Sequence, residues 1–146
     1  MSEEQVASII REFVGAMVAA DIDKAVTFVA DDVRWVTPEG TFDGKAEIRR
    51  YIGWTAGFVQ NMSYSETGIG LMIQGDQAAY EHLFQGEVEG SRVQWLAMCA
   101  YEFTGDKIQS MRTVYDRLGV LEQAASGWLE ETMINAVVKR AEKGLH

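Results

Sequence analysis

The side chain best suited to acid–base chemistry in this sequence is His82, the only histidine inside the chain. An imidazole changes its charge near neutral pH, so it can take up and release a proton during a reaction. A histidine base works best when a carboxylate orients its second ring nitrogen. Three carboxylates are candidates for that role: Glu81, Glu102 and Asp116. The alternative is a structural histidine that is hydrogen-bonded within a sheet.

Two tyrosines and a threonine could assist this base. Tyr115 and Tyr80 carry hydroxyl groups that can donate to a substrate oxygen, and Tyr115 or Thr37 could orient the substrate. Buried tyrosines also occur as packing residues with one satisfied hydroxyl. We predict catalytic roles for His82, Tyr115 and Asp116.

Other kinds of reactive site are not predicted. Cys99 is the single cysteine and has no base beside it in the sequence, which is typical of a small buried apolar residue. The sequence has no cluster of histidines and cysteines with metal-ligand spacing, and no glycine-rich phosphate loop before a helix. We therefore expect neither a metal nor a cofactor.

The candidate residues lie on a predicted antiparallel meander. The stretch from Gly75 to Asp116 contains three runs rich in aromatic and β-branched residues. Turn-forming tetrapeptides divide these runs at Val88–Ser91 and Thr104–Lys107. Strands joined by such short turns must run antiparallel, because a parallel return needs about a dozen residues or more.

Periodicity also predicts the elements around this meander. Before it come a helix with Val6 to Met17 on its inner face, a short helix from Asp21 that Asp31-Asp32 ends, and a strand at Val33–Thr37 that Pro38 to Gly40 stops. A helix after Gly44 and a strand from Met62 to Ile73, bulged or bent at Gly68 and Gly70, follow. Helices after Asp116 and from Trp128 to Lys143 complete the chain. The order predicts one α+β domain of 146 residues. It is a cone-shaped α+β barrel, a curved antiparallel sheet wrapped by N-terminal helices, with an extra C-terminal helix.

Alternation along the strands predicts which side chains face the inside of the cone. Residues two apart on one strand share a face, and residues three or four apart share a helix face. The predicted ligand-binding set is Phe13, Met17, Trp35, Thr37, Trp54, Phe58, Tyr80, Phe84, Trp95, Cys99, Met111 and Thr113. Such a lining, mainly aromatic with few polar points, is typical of a pocket for a hydrophobic small molecule. The alternative is that these rings simply fill the cone as its core.

The opposite face of the meander is apolar as well. Leu96, Met98 and Ala100 alternate with the set that includes Cys99. A sheet face open to water carries polar residues, so this face predicts burial against a second copy of the chain. The final helix could close the pocket mouth, reach the partner subunit or cap the sheet edge.

The composition excludes several classes of partner. The chain has 22 acidic and 13 basic residues and a net charge of −9, which opposes binding to nucleic acid or to an anionic membrane surface. No basic and apolar segment typical of a signal peptide opens the sequence, and no apolar run reaches the length of a membrane span. The single cysteine fits a reducing compartment. We predict a cytoplasmic protein.

Two stretches resemble a known family. The residues from Asp21 to Tyr51 (DIDKAVTFVADDVRWVTPEGTFDGKAEIRRY) resemble the opening of SnoaL-like proteins, and those from Thr104 to Gln123 (TGDKIQSMRTVYDRLGVLEQ) resemble their last strand and exit helix. These proteins belong to the superfamily of nuclear transport factor 2, ketosteroid isomerase and limonene epoxide hydrolase. The resemblance covers about residues 5 to 125 and implies the cone fold. It also implies dimerisation through the sheet. The helical extension over residues 126–143 lies beyond the family core.

The catalytic residues of the relatives are replaced in this chain. Ketosteroid isomerases carry a tyrosine and two aspartates at positions that match Phe13, Thr37 and Cys99. Limonene epoxide hydrolases carry an arginine and two aspartates at positions that match His82, Phe84 and Thr113. SnoaL-type cyclases also place an acid–base aspartate at the position of Thr113. None of these constellations is present here.

Two functions therefore fit the sequence. One is a cofactor-independent acid–base enzyme of the cyclase, isomerase, lyase or hydrolase type that acts on a hydrophobic cyclic substrate. The other is a non-catalytic ligand-binding or interaction module with the same fold. A structural dimer with a filled cone is a third, weaker interpretation.

Overall fold

The computed structural model describes residues 1–145, and the second histidine, His146, lies outside the described residues. The helices are α1 (Glu3–Val18), α2 (Ile22–Ala25), α3 (Gly44–Phe58), α4 (Arg117–Ala124) and α5 (Trp128–Ala141). The strands are β1 (Val29–Thr37), β2 (Gly40–Asp43), β3 (Gln60–Gln74), β4 (Gln77–Val88), β5 (Ser91–Thr104) and β6 (Lys107–Tyr115). Within residues 1–145, no helix is both long enough and apolar enough to cross a membrane.

The strands form one curved, open sheet in the order β2-β1-β6-β5-β4-β3. The predicted α+β fold and the antiparallel meander from β3 to β6 are confirmed. The sheet is nevertheless mixed, because β1 pairs with β6 in parallel. No tight turn links these two strands. The chain passes through α3 and the whole meander between them, so connection length leaves their relative direction free.

The first strand begins earlier than predicted. The second helix ends at Ala25 and β1 starts at Val29, whereas the sequence pattern predicted a helix that continues to Asp31-Asp32. Val29 is fully buried and pairs with Ile108 of β6. Pairing with a distant strand has overridden a weak local helical pattern.

The short strand β2 was not predicted. Instead of simply ending at Pro38 to Gly40, the chain reverses there, and β2 pairs antiparallel with β1. Trp35 lies opposite Phe42, and Thr37 lies opposite Gly40. Four residues are too few to show a period of two, so the sequence carries little signal for this hairpin.

The predicted bulge in the long strand β3 is confirmed. The register between β3 and β4 shifts between Glu66 and Leu71. Gly68 and Gly70 lie in this interval with φ of +57° and +62°, a region that glycine enters without steric cost. At the start of this interval, Glu66 pairs with Arg11 of α1 at an Nε–Oε1 distance of 2.7 Å.

Helices α1 and α3 cover the concave face of the sheet and build the core there. A capping box formed by Ser2 and Gln5 begins α1. Its inner residues recur at three- and four-residue spacing, so one side of the helix is removed from water. These residues are Val6, Ile10, Phe13 and Val14, all at most 1% exposed.

The C-terminal helix α5 does not join this core. It packs beside α4, and none of its residues is buried. Leu129, Met133 and Val137 share one side of the helix and are exposed. An apolar helix face left in water is compatible with two of the roles expected for this extension, closing the pocket mouth or contacting a partner subunit.

Candidate functional site

An apolar cavity of about 60 Å³ lies between α3 and the concave face of the sheet. Seven of its lining residues are aromatic: Trp35, Tyr51, Trp54, Phe58, Phe84, Trp95 and Tyr115. The other lining residues are Met17, Thr55, Val59, Met62, Thr113 and Val120. The cavity is smaller than the roughly 300–1,000 Å³ of pockets that hold drug-sized ligands. It admits a small group as it stands, and a larger ligand needs side chains to move.

The rings pack against one another in two series. Tyr51 stacks on Trp54 with centroids 5.9 Å apart, and Trp54 stacks on Phe58 at 5.3 Å. Phe84 stacks on Trp95 at 5.4 Å across the β4–β5 pair. The first series follows from three- and four-residue spacing on α3, and the second from direct opposition of two strands. Trp54 is 45% exposed and marks the mouth of the cavity.

The structure brings together much of the predicted ligand-binding set. The predicted residues that line the cavity are Met17, Trp35, Trp54, Phe58, Phe84, Trp95 and Thr113. The predicted catalytic residue Tyr115 also lines it. The remaining members are buried away from the cavity: Phe13, Thr37, Tyr80, Cys99 and Met111. Lining residues outside the predicted set are Tyr51, Thr55, Val59, Met62 and Val120.

A nearly buried carboxylate, Glu39, lies beside this cavity and was not predicted. Its side chain is 9% exposed. The hydroxyl of Tyr51 donates to Glu39 Oε2 at 2.9 Å, and the hydroxyl of Tyr115 donates to Glu39 Oε1. Arg117 Nε lies 3.8 Å from the same Oε1. One carboxylate therefore holds two of the tyrosines that line the cavity, and we call these three residues (Glu39, Tyr51 and Tyr115) the Glu39 cluster.

The turn between β1 and β2 positions Glu39. Thr37 Oγ1 accepts a hydrogen bond from the backbone N–H of Glu39 at 3.2 Å, and the same hydroxyl donates to the carbonyl of Gly40 at 3.4 Å. This local pattern is a turn closed by a threonine side chain. Glu39 has the same parity as Trp35 and Thr37, which alternation places inside the cone. That parity is the signal that could have identified it.

Both tyrosines of the Glu39 cluster are held in their protonated form. Burial raises the pKa of Tyr51 above its ordinary value, and the charge of Glu39 raises it further. Burial and the hydrogen bond to Glu39 likewise raise the pKa of Tyr115. Each hydroxyl therefore stays a donor at neutral pH, and its proton points to the carboxylate.

The predicted base His82 lies outside the cavity lining. It is 1% exposed, and its ring stacks on Tyr80 with centroids 4.3 Å apart. Nδ1 lies 3.3 Å from the backbone carbonyl oxygen of Tyr80. Burial lowers the pKa of His82 to about 4, so the ring is neutral at pH 7. A neutral imidazole with so low a pKa is a weak base.

Two of the carboxylates considered as partners of His82 are used elsewhere. Glu102 pairs with Arg112 at an oxygen–nitrogen distance of 2.7 Å. Asp116 is the N-cap of α4, where Oδ1 accepts from the backbone N–H of Gly119 at 2.8 Å. Neither carboxylate is hydrogen-bonded to the imidazole.

The third candidate, Glu81, is also engaged away from His82. Its Oε2 accepts from the backbone N–H of Ile69 at 3.0 Å, at the β3 bulge. The carboxylate opposite His82 in the sheet register is instead Glu66, which accepts from the hydroxyl of Tyr80 at 3.0 Å. Among the described residues, the hydrogen-bond partner of the His82 ring is thus a backbone carbonyl.

The polar groups near Thr113 satisfy one another. Trp35 Nε1 donates to Thr113 Oγ1 at 2.9 Å, and Cys99 Sγ lies 3.3 Å from the same hydroxyl. Burial raises the pKa of the Cys99 thiol, which opposes formation of a thiolate. These contacts fix the ring of Trp35 at the base of the cavity.

A larger groove in the described part of the chain is less suited to an apolar ligand than this cavity. This groove of about 540 Å³ lies on the surface beside β3, β4 and β5, but it is open and mainly polar. Its lining residues are Asn61, Ser63, Gln85, Gly86, Glu87, Arg92, Val93, Gln94 and Gln123. Across residues 1–145, no group of three or more His, Cys, Asp or Glu side chains is arranged to hold a metal ion.

The sequence matches the SnoaL-like domain family over residues 10–111. The chain belongs to the SnoaL-like family. Its match ends before α4 and α5, so the Glu39 turn lies inside the family core and the exposed helix α5 lies beyond it. No curated protein sequence matches this SnoaL-like protein.

Solved structures share the fold of this SnoaL-like protein at low sequence identity. One is a protein with a ketosteroid isomerase-like fold from Catenulispora acidiphila in complex with trimethylamine, with 21% identity and a TM-score of 0.72 over 80% of this chain and 91% of that one. Another is an NTF2-like protein from Burkholderia pseudomallei, with 16% identity and a TM-score of 0.75 over 86% of this chain and 100% of that one. A third is TerC co-crystallised with polyporic acid, with 18% identity and a TM-score of 0.72 over 82% of this chain and 97% of that one.

Proposed function

We propose that this SnoaL-like protein binds a small, mainly apolar organic molecule inside the cone, with the Glu39 cluster at the polar end of the ligand. One observation carries the proposal. A carboxylate that is 9% exposed holds the hydroxyls of two tyrosines whose rings line an aromatic cavity. Ligand pockets combine an apolar lining with a few fixed polar groups in this way.

The Glu39 cluster could also carry acid–base chemistry on the bound molecule. Glu39 would accept a proton from a carbon or oxygen of the substrate and return it to another atom, which isomerises or cyclises the substrate without a cofactor. Tyr115 lies between the carboxylate and the cavity. Its hydroxyl would either relay the proton from the substrate to Glu39 or rotate away so that the substrate contacts Glu39 directly. By resemblance, Glu39 follows by two residues the position of Thr37, where ketosteroid isomerases carry their base.

Two solved structures with this fold were determined with small organic molecules, which supports ligand binding by this protein. The Catenulispora acidiphila protein was solved with trimethylamine and TerC with polyporic acid. One molecule is a very small amine and the other a larger organic acid. This range fits a fold in which the cone is constant and the lining residues set the ligand.

A non-catalytic ligand-binding module is the second candidate, and two observations favour it. His82 is buried and has no carboxylate bound to its ring. Both hydroxyls of the Glu39 cluster already donate to Glu39, and the cavity holds only about 60 Å³. A pocket of this kind can bind a small molecule without transforming it.

A deuterium-exchange experiment separates the two candidates. Small cyclic ketones would be screened for binding by ligand-observed NMR, and those that bind would be incubated with the protein in heavy water. Exchange of the protons next to the carbonyl reports a working base. We expect exchange in the wild-type protein, loss of exchange in Glu39→Gln with binding retained, and normal exchange in His82→Phe.

Each outcome of that experiment has a meaning. Binding without exchange in the wild-type protein would leave the ligand-binding module as the function. Exchange that survives Glu39→Gln and disappears in His82→Phe would move the base back to His82. If no ketone and no other small organic probe binds, the proposed pocket is wrong.

We also propose that the outer face of the sheet pairs with a second copy of the chain. Leu96, Met98 and Val114 lie exposed on this face, with Ala100 half-buried beside them. Met98 and Val114 are direct cross-strand neighbours, so they form one continuous apolar surface. A two-fold dimer buries the same patch on both subunits.

We further propose a cytoplasmic location for this protein, because a chain with a single cysteine fits a reducing compartment.

A further inference from the structure

We propose that the ligand of this cavity carries a positive charge: a small protonated or methylated amine whose cationic head lies among the aromatic rings. This inference rests on the proposed small-molecule pocket and adds the chemical class of the ligand. Three features of the cavity support it: its rings, its charge and the direction of its hydrogen bonds.

The rings provide the first argument. Seven aromatic residues line a cavity of about 60 Å³, and three of them are tryptophans. Aromatic faces attract cations through their quadrupole, most strongly for tryptophan, and cages of such rings recognise quaternary ammonium groups. The two tyrosines that donate to Glu39 are polarised toward the phenolate form, which makes their rings richer in electrons. A cation therefore gains more here than in a plain aliphatic cavity.

The charge provides the second argument. None of the residues that line the cavity is basic, and the carboxylate of Glu39 lies directly behind two of the lining rings. Arg117 is the basic side chain near this carboxylate, at 3.8 Å, and it is 55% exposed. Water screens an arginine at that exposure, whereas the cavity side of Glu39 is apolar and screens little. The carboxylate of Glu39 therefore adds a negative contribution to the potential inside the cavity.

Hydrogen-bond direction provides the third argument. The hydroxyls of Tyr51 and Tyr115 both donate to Glu39, and the indole N–H of Trp35 donates to Thr113. These three donors are already used, and the tyrosine oxygens keep lone pairs that can accept. A ligand carboxylate would meet occupied donors and a like charge at this end. An ammonium group meets acceptors and an opposite charge.

The size of the cavity limits the ligand further. About 60 Å³ is the liquid volume of roughly two water molecules, so a primary ammonium head enters as the cavity stands, and a trimethylammonium head requires the lining side chains to move. The rest of the molecule would leave past Trp54, which is 45% exposed at the mouth. The inferred ligand is thus a small amine head on a short apolar or hydroxylated tail.

The test compares two probes of the same shape and different charge. Choline carries a trimethylammonium group, and 3,3-dimethylbutan-1-ol carries the neutral tert-butyl group in its place. Binding is measured by quenching of tryptophan fluorescence and by calorimetry. We expect choline to bind about tenfold more tightly than the neutral alcohol, as a desolvated cation–π site implies.

Two variants and a matched control separate charge from shape. Glu39→Gln keeps the size of the side chain and removes its charge, so the preference for choline should fall several-fold. Arg117→Gln removes a water-screened cation from an exposed position, so it should change the affinity for choline less than Glu39→Gln does. Glu4→Gln, an exposed acidic residue in the first turn of α1, should change neither affinity.

The outcomes distinguish this inference from the function on which it rests. Equal affinity for the two probes, or tighter binding of the alcohol, overturns the cationic ligand and leaves the apolar pocket in place. The same holds if only neutral cyclic probes bind. If no probe of either kind binds, the pocket itself is wrong. If Glu39→Gln does not fold, the comparison of choline with the neutral alcohol in the wild-type protein decides alone, and equal affinity for the two counts against the inference.

Discussion

Tyr115, at the end of β6, donates its hydroxyl proton to the carboxylate of Glu39, which lies 76 residues earlier in the turn between β1 and β2. The contact joins the edge hairpin to the strand that follows the whole meander. It exists because β1 and β6 lie side by side in parallel, so the end of β6 comes next to the turn that leaves β1. The polar end of the cavity is thus a product of the parallel pair.

The contact predicts a loss of stability when the Tyr115 hydroxyl is removed. In Tyr115→Phe, Glu39 keeps the hydroxyl of Tyr51 and loses one donor to a nearly buried carboxylate. Removing one partner of a buried polar group costs about 1–3 kcal/mol in the free energy of unfolding. Urea denaturation would measure it.

A second tyrosine provides the control for that measurement. The hydroxyl of Tyr64 donates a long hydrogen bond of 3.4 Å to the backbone carbonyl oxygen of Arg11, at a position open to solvent. Tyr64→Phe should therefore cost less than about 1 kcal/mol. Equal losses in the free energy of unfolding would show that the hydrogen bond from Tyr115 to Glu39 stabilises the fold no more than the hydrogen bond of Tyr64 does.

The low pKa of His82 predicts a dependence of stability on pH. The folded ring has a pKa of about 4, and an unfolded histidine has a pKa of about 6.5. Between these values the unfolded chain binds a proton that the folded chain does not. The stabilisation of the fold that comes from a neutral His82 is therefore complete above about pH 6.5 and is lost as the pH falls toward 4.

The variant His82→Phe isolates this effect, since it keeps a ring between Tyr80 and Phe84 and cannot titrate. Urea unfolding would be measured for both proteins at about pH 7 and about pH 4. The wild-type protein should lose about 3 kcal/mol more than the variant over this interval, by proton linkage. If the wild-type protein and the variant lose equal free energy of unfolding between these pH values, the pKa of folded His82 lies near its ordinary value, which contradicts its burial.

The bulge in β3 predicts a cost when Gly68 gains a side chain, because the carboxylate of Glu81 would have to move and release the backbone N–H of Ile69. Its φ is +57°, and a β-carbon built there would overlap the carboxylate of Glu81. Gly68→Ala should therefore cost more than the roughly 1 kcal/mol expected from positive φ alone. Thermal or urea unfolding would give the value.

The matched control for the bulge is Gly75→Ala. Gly75 has a φ of +63°, and nothing lies within 4 Å of a β-carbon built at that position. The two variants share the backbone strain and differ in the overlap with Glu81. If both cost the same, Glu81 moves aside freely and the bulge does not depend on it.

The proposed dimer predicts a change of mass on a single substitution. Val114 is 63% exposed at the centre of the outer sheet face, beside Met98. A carboxylate at this position would be buried in a two-fold interface and would meet its symmetry mate, so Val114→Glu should produce monomers. Sedimentation or light scattering would measure the mass, with Thr104→Glu at the exposed end of β5 as the control. A wild-type monomer, or a dimer unaffected by Val114→Glu, would exclude this interface.

Local patterns in the sequence determined most of the architecture. The turns at Val88–Ser91 and Thr104–Lys107 and the alternation between them predicted the antiparallel meander, because short connections leave no other pairing. The same alternation, with helical spacing on α3, predicted much of the aromatic lining, Trp35, Trp54 and Phe84 included. These properties depend on residues close together in the chain, which a sequence shows directly.

Only the tertiary structure decided the chemistry of the site. The direction of β1 against β6, the pairing of Glu39 with Tyr51 and Tyr115, and the isolation of His82 all depend on contacts between distant segments. No local period encodes such contacts, because hydrogen bonds between side chains depend on which elements the packed core brings together. A sequence shows which residues face inward, and packing decides which of them meet.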